Sequence, residues 1–431
     1  IKYDYFIYFN NYYLNFYFLL FRNKNFWISQ KEANMKKKLL NKLKINLIIP
    51  SFYPATIYGG PIFSTLHTCK ELAKLEGINI NVSTTNTNMH SKLDVETNKD
   101  IKFEDNFYVK YYDETKVDKF SLQLFLNIWK DIKSSDIAHI QAIFNTPVPI
   151  SLFYARLFKK PIILSPRGSL GEWCIGNGSK FKTMWLNYLL KPLVQNITWH
   201  ATAEQEKDEI LSIYPSAKVS IIPNGIEYDK FQKSNLLSKN DYCKKFTNQN
   251  LEPNKIVVSM GRLQKKKGFD ILIDSFFETL KSFRNSILLI AGADEGEEEN
   301  LKNQIKNLNL ENNVFLIGAI SGQDKIDFLA NADLFCLPSH NENFGNVYVE
   351  SLATGTPIVA SKMTPWSEVE DYDCGKWVKN SIEETSKAMN EVLEKDREIM
   401  RINSKKLAYK YDWKNVAQEF KKLYESMLEK K

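Results

Sequence analysis

The stretch from Asp333 to Ala360 constrains the fold more than any other. Leu334 to Leu337 is a short apolar run ended by Pro338, the pattern of a buried parallel strand. Polar loop follows from Ser339 to Asn343. Gly345 to Ala353 then carries Val347, Val349, Leu352 and Ala353 at the spacing of a short buried helix. Gly355 and Pro357 stop that helix, and Ile358 to Ala360 begins another strand. A strand–loop–helix of this kind presents loop atoms at the carboxyl edge of a parallel sheet, where α/β proteins bind ligands.

The same alternation runs through the chain. Apolar runs at Ile45–Ile49, Ile78–Ser83, Phe107–Tyr112, Ile137–Ile140, Ile162–Leu164, Ile197–Ala201 and Val219–Ile222 read as strands. Helical patterns over Phe120–Lys133, Val148–Phe158 and Glu204–Ile213 lie between them. Pro223-Asn224-Gly225 is a turn, and the Lys- and Asn-rich residues 227–253 read as a linker. The alternation restarts at Ile256–Met260 and continues through Leu288–Ala291 and Val314–Leu316. This predicts an α/β fold with doubly wound parallel sheets in two domains, 35–226 and 254–409, and a closing amphipathic helix over 410–431. A chain of 431 residues gives each domain enough length for its own core.

Residues 1–34 stand apart, crowded with Tyr, Phe and Asn and without a clean period. They read as translated sequence upstream of a start at Met35, with an aromatic membrane anchor as the rival, and are left out of the fold argument. The net charge of +7 is modest and does not indicate nucleic acid; an anionic membrane surface or polyanionic substrate fits it equally well. Five scattered cysteines without CxxC spacing read as free thiols of a reducing cytoplasm. Five dispersed histidines argue against a structural zinc site.

Two glutamates mark the organising stretch. Glu342 is in the loop, and Glu350 lies beyond Gly345 by roughly 7 to 8 Å of helix at about 1.5 Å per residue. Between them, Phe344, Gly345 and Asn346 offer helix N-terminal N–H groups that suit a phosphate. An elongated ligand with an anionic middle and hydroxyl-bearing ends matches this, as a nucleotide-sugar does. The spacing alone better fits two solvated glutamates, since a chain this rich in Glu has several such pairs by chance. Glu350, however, sits in a largely apolar helix, where a buried carboxylate needs a partner.

Glu342, seven residues and Glu350, flanking Phe344-Gly345 and followed by Gly355-Thr356-Pro357, resemble the donor-site signature of group 1 (family 4) retaining glycosyltransferases. The resemblance covers Ile45 to the C-terminus. It implies the GT-B fold, two facing Rossmann-like domains with the donor held by the second. Gly59-Gly60 after the first strand matches the family's cleft-side glycine pair, so Gly60 is expected at the ligand. Gly261-Arg262-Leu263 with Lys267-Gly268 is similar to its phosphate clamp, so Arg262 and Lys267 carry over. The loop around Ile320 matches the one touching the nucleotide base. Glu342 would orient sugar hydroxyls and Glu350 would bind ribose. Ser165–Lys180 resembles a loop of the surface-polysaccharide subset, where Arg167 and Trp173 either hold an acceptor sugar or anchor the loop.

One departure stands out. Many relatives carry His-x-His where this chain has His139-Ile140-Gln141. Gln141 can hydrogen-bond a hydroxyl but takes no proton at neutral pH, so it is assigned to positioning. His139 reads as a core histidine. The resemblance implies transfer of a sugar from a nucleotide-diphosphate sugar to a glycan or lipid-linked acceptor, with retention and without metal or other cofactor. Asp371-Tyr372-Asp373 follows no strand and is discounted as a metal motif. The expected location is cytoplasmic, with peripheral membrane contact resting on the Lys36–Lys44 cluster. Alternatives are an epimerase or a phosphorylase of the same fold, or a catalytically silent nucleotide-sugar-binding partner in a membrane assembly complex. A phosphorylase would need a pyridoxal-phosphate lysine and a longer chain.

Overall fold

A computed structural model describes residues 42–89, 91–115, 120–171 and 180–429. The aromatic segment 1–34, most of the Lys36–Lys44 cluster and Trp173 lie outside the described residues.

The first domain opens with β1 (Leu43–Ser51), α1 (Gly60–Lys74) and β2 (Ile78–Thr85). It continues with β3 (Asp100–Glu104), β4 (Phe107–Tyr112), α2 (Leu122–Ser134), β5 (Ile137–Gln141), α3 (Pro147–Leu157) and β6 (Ile162–Ser165). Then come α4 (Lys180–Met184, running on as a π-helix over Trp185–Leu190), β7 (Thr198–Ala201), α5 (Glu204–Ile213) and β8 (Lys218–Ile221). The strands form one eight-stranded sheet in the order β8-β7-β6-β5-β1-β2-β4-β3. All pairs are parallel except the edge strand β3 on β4, which has no strong apolar run and was not anticipated from sequence.

The second domain begins with α6 (Lys239–Thr247) and β9 (Ile256–Met260), then α7 (Phe269–Thr279), β10 (Ile287–Ala291), α8 (Glu298–Asn307) and β11 (Val314–Leu316). It proceeds through α9 (Gly322–Ala330), β12 (Leu334–Leu337), α10 (Asn346–Thr354), β13 (Ile358–Ser361), β14 (Gly375–Val378), α11 (Ile382–Glu394) and α12 (Arg397–Lys410). Its six strands are ordered β11-β10-β9-β12-β13-β14, a doubly wound parallel sheet whose order reverses between β9 and β12. The loops after both strands therefore open at the reversal point. Among them are the loop carrying Arg262 and Lys267 and the loop carrying Glu342.

The residues read as linker are partly built into this domain. α6 buries Tyr242 and Cys243, and the Tyr242 hydroxyl donates to the Phe328 carbonyl at 3.0 Å. Two apolar residues in a Lys- and Asn-rich stretch are too few to announce a helix by periodicity. The last helix, α13 (Trp413–Glu429), crosses back to the first domain and packs on α1. The chain passes between domains twice, side by side: Ile226 N–H donates to the Tyr411 carbonyl at 2.8 Å, and Trp413 N–H to the Ile226 carbonyl at 3.1 Å. Gly225 permits this approach, since a Cβ there would stand 2.4 Å from the Trp413 ring.

α13 is locked to the sheet through a buried polar chain. His139 Nδ1 lies 2.8 Å from the Tyr424 hydroxyl, and its Nε2 lies 2.8 Å from Ser165 Oγ. Ser165 Oγ is 2.7 Å from His200 Nδ1, and His200 Nε2 donates to the Ile222 carbonyl at 2.8 Å. His139 is thus a core histidine with both ring nitrogens satisfied. Burial, reinforced by the neighbouring His200 and Arg167, pulls His139 well below the ordinary histidine range. Burial, with the Arg167 charge, brings His200 down to about 3. The unfolded chain binds these protons near pH 6.5, whereas the folded chain does not. The stability held by neutral imidazoles is therefore complete above pH 6.5 and declines as pH falls below it, for His200 by about 1.4 kcal/mol per pH unit down to about 3. Denaturant unfolding at several pH values should give this slope, and His200→Asn should flatten it. An unchanged slope in that variant would refute the assignment.

Candidate active site

The site is assembled at the carboxyl edge of the second sheet. After β12 the chain passes Pro338 into a loop tied down on two sides. The Ser339 hydroxyl has two acceptors at 3.1 Å, the Lys266 carbonyl and Glu342 Oε1. His340 N–H donates to the Lys266 carbonyl at 2.8 Å, and Ser361 Oγ donates to the Ser339 carbonyl at 2.6 Å. The Lys265–Lys267 turn and the Glu342 loop are therefore one unit. Gly268 permits the contact: its φ is +67°, and a Cβ would lie 2.1 Å from the Pro338 carbonyl oxygen.

Lys267 and Glu342 form an ion pair whose side chains are only 15% and 13% exposed. Arg262, by contrast, is 66% exposed and paired with Glu295 at 2.6 Å. Exposed pairs of that kind contribute little and exchange readily, so the Arg262 guanidinium is available to an incoming anion. Glu350 on α10 has a cationic partner that sequence did not indicate, Lys325 of α9 at 2.5 Å. The carboxylate expected to need a partner has one.

α10 starts at Asn346, with Gly345 before it at φ +72°. The first-turn N–H groups of such a helix have no intrahelical acceptor and point at the loop. An aromatic cluster below fixes this terminus. The Trp366 indole N–H donates to the Phe344 carbonyl at 2.7 Å, and the Phe344, Trp366 and Tyr411 rings lie 5.1 to 5.7 Å apart. Trp366 and Tyr411 are supports that sequence reasoning missed; neither belongs to the motif they hold. Ile320, half-buried, lies in the loop between β11 and α9 at the same sheet edge.

The first domain faces this edge. A Cβ on Gly60, at the N-terminus of α1, would stand 3.8 Å from Asn346 Nδ2, and one on Gly168 would stand 3.1 Å from Asn343 Cβ. Gly60 and the α10 terminus thus meet across the cleft. Gln141 ends β5 and is buried; its Oε1 accepts from Thr65 Oγ1 at 2.9 Å and from Arg167 Nε at 3.2 Å. With Oε1 so held, the amide Nε2 is buried and has no acceptor among the described residues. Arg167, at φ +57°, points inward and also donates from Nη1 to Asn224 Oδ1 at 3.0 Å. This ties the loop to the Pro-Asn-Gly turn. Burial pulls the Arg167 guanidinium below its ordinary value, and the Glu206 carboxylate opposes that shift. Glu206, unmarked in the sequence, is fully buried and accepts from Gly168 N–H at 2.6 Å and Thr202 N–H at 2.7 Å.

Two doubly wound domains, with a lysine–glutamate pair and a glycine-capped helix terminus facing a glycine-led helix across the cleft, have the GT-B fold. The chain superposes on Anabaena HepE in complex with UDP with a TM-score of 0.66 at 18% identity, covering 89% of this chain and 100% of that one. Residues 243–410, the second domain, match the family described as glycosyl transferases group 1. An alpha-monoglucosyldiacylglycerol synthase of Streptococcus pneumoniae is 26% identical over 230 residues, 52% of this chain and 51% of that protein. An O-antigen biosynthesis glycosyltransferase of Escherichia coli, WclY, is 28% identical over 205 residues, 45% of this chain and 54% of that protein. The chain thus spans about half the length of the curated relatives it matches.

Proposed function

We propose that this protein transfers a sugar, with retention and without a metal, from a nucleotide-diphosphate sugar to a glycan or lipid-linked acceptor in cell-surface polysaccharide or lipopolysaccharide assembly. The observation that carries the proposal is the joining of Lys267, Glu342 and the α10 N-terminus into one unit at the reversal point of the second sheet. A diphosphate seated there would draw Lys267 and Arg262 from their carboxylate partners and receive the first-turn N–H groups. Glu342, released from Lys267, would accept sugar hydroxyls, and Glu350 ribose hydroxyls. Gln141, its Oε1 held by Thr65 and Arg167, would help to position the sugar from the opposite domain.

The catalytic work in this reading is charge neutralisation and positioning. The leaving phosphate takes the acceptor's proton as the new glycosidic bond forms on the face the nucleotide leaves, so no side chain need act as base. A uridine nucleotide is supported by the UDP bound in HepE, and a lipid-linked or polysaccharide acceptor by the names of the two curated relatives. Cytoplasmic location with peripheral contact on an anionic membrane belongs to the same proposal.

The test is a thermal-shift panel of nucleotide-diphosphate sugars on wild type and Glu350→Ala. A donor binding the folded state at about 100 times its Kd adds roughly 2.7 kcal/mol, a shift of a few degrees. One donor should stabilise the wild type and lose most of its effect in the variant. If none stabilises the folded wild type, the transferase reading fails. Release of nucleotide without an added acceptor, accompanied by an epimeric sugar, would instead establish the epimerase.

A further inference from the structure

The helices over one face of the first sheet carry apolar residues that no described part of the fold covers. α2 has two apolar stripes. Leu124, Ile128 and Ile132 are buried against the sheet, whereas Leu122, Phe125 and Leu126 are 53%, 44% and 58% exposed. Their i, i+3, i+4 spacing places them on one outward face, continued one turn later by the half-buried Trp129. On α3, Phe153 and Leu157 repeat the pattern at i, i+4, exposed by 50% and 59%. On α4 and its π-helical extension, Phe181, Met184 and Tyr188 repeat it again, at 60%, 56% and 80%.

These helices are neighbours. α2 packs on α3. The Trp185 indole N–H donates to the Ile143 carbonyl ahead of α3 at 3.1 Å, and Arg156 Nη1 on α3 donates to the Gln195 carbonyl beyond α4 at 2.7 Å. Their inner faces share one core layer, so their outer faces form one surface. Single exposed apolar residues are ordinary; a helical stripe on each of three adjacent helices is not.

Charge identifies the occupant. Without Arg167, which points into the cleft, residues 121–193 hold eight Lys and Arg against three Asp and Glu, a net +5 in a chain of +7. Lys130, Lys133, Lys159 and Lys191 are exposed on these same helices and their ends. An apolar centre with a basic margin complements a bilayer bearing anionic headgroups, which takes apolar side chains into the acyl boundary and holds lysines at the headgroups. Among the described residues no helix is long and apolar enough to cross a membrane. α2 and α3 start at the carboxyl edge of the sheet, the edge facing the second domain, so the surface borders the mouth of the cleft.

We propose that the outer face of α2, α3 and α4 docks on an anionic lipid bilayer and sets the cleft mouth at its headgroups. The proposal deepens the lipid-linked-acceptor reading above and rests on it for its purpose. The test is co-sedimentation of the full chain with vesicles of phosphatidylcholine alone or with about a third phosphatidylglycerol, at low and high salt. The wild type should bind the anionic vesicles at low salt, and Phe125→Ser/Leu126→Ser should bind at least about tenfold more weakly at an unchanged Tm. Equal binding by the folded double variant, or equal binding to neutral vesicles, overturns the proposal. So does a wild-type dimer that light scattering finds dissociated in the variant, which would make the surface a self-interface. Nucleotide-sugar thermal shifts on the same samples separate the two readings. No vesicle binding with intact donor stabilisation defeats the membrane surface alone; vesicle binding without any donor stabilisation defeats the transferase reading alone.

Discussion

Lys267→Ala is expected to lower kcat/KM for the nucleotide-sugar by about a hundred- to a thousandfold, the range for removing one preorganised charge partner from a developing anion. Lys267 is the only cation paired to Glu342 among the described residues, and both side chains are well screened from solvent. A diphosphate there meets the lysine where water competes poorly. Melting should fall as well, because the screened Glu342 carboxylate loses its cation and keeps only the Ser339 hydroxyl. Lys267→Arg should not restore full activity, since a planar fork cannot take the place of a compact ammonium in that space. Steady-state kinetics beside a melting curve decides the matter. A folded Lys267→Ala variant within about fivefold of wild type would remove Lys267 from the mechanism.

Trp366→Ala is expected to cost about 3 to 5 kcal/mol of stability, as large-to-small changes of buried aromatic residues do. The side chain is fully buried, fills the space between Phe344 and Tyr411, and satisfies the Phe344 carbonyl. Donor affinity should fall as well, because the α10 terminus and the Glu342 loop lose their support. Trp366→Phe separates the two effects. It keeps much of the packing but leaves the carbonyl unpaired, a loss of about 1 to 3 kcal/mol. Denaturant unfolding and nucleotide titration measure the two consequences. If Trp366→Ala weakens folding yet leaves nucleotide affinity intact, the cluster is core only.

The second domain was legible because its information is local. Short apolar runs ended by Pro or Gly give strands, and the Phe344-Gly345 step between two glutamates marks a loop and helix start within one window. The supporting partners were not legible for the opposite reason. Lys325 reaches Glu350 from another helix, Trp366 reaches Phe344 from the loop after the next strand, and Thr65 reaches Gln141 across 76 positions. Each is an ordinary residue whose role exists only after folding. Glu206 shows this most sharply. On sequence it is one acid in a run of charged residues opening a helix, yet it is fully buried and organises the turn at Gly168. α12 was also missed. Its buried positions, Met400, Ser404, Leu407 and Ala408, include a serine and are separated by Lys and Arg, so the apolar stripe is thin.

The return of α13 to the first domain has a consequence for how the protein is made. Trp413, Val416, Phe420 and Tyr424 belong to the same packed layer as β1, β2 and α1, although more than 180 residues of chain separate them from the end of that domain's own sheet. On a translating ribosome, residues 43–221 emerge with that layer open and His139 without its tyrosine. They must wait while the whole second domain is synthesised. The second domain, contiguous apart from its hinge, can close as soon as α12 clears the exit tunnel. The domain made first is thus the one completed last, and release of the nascent chain before residue 424 leaves it unfinished.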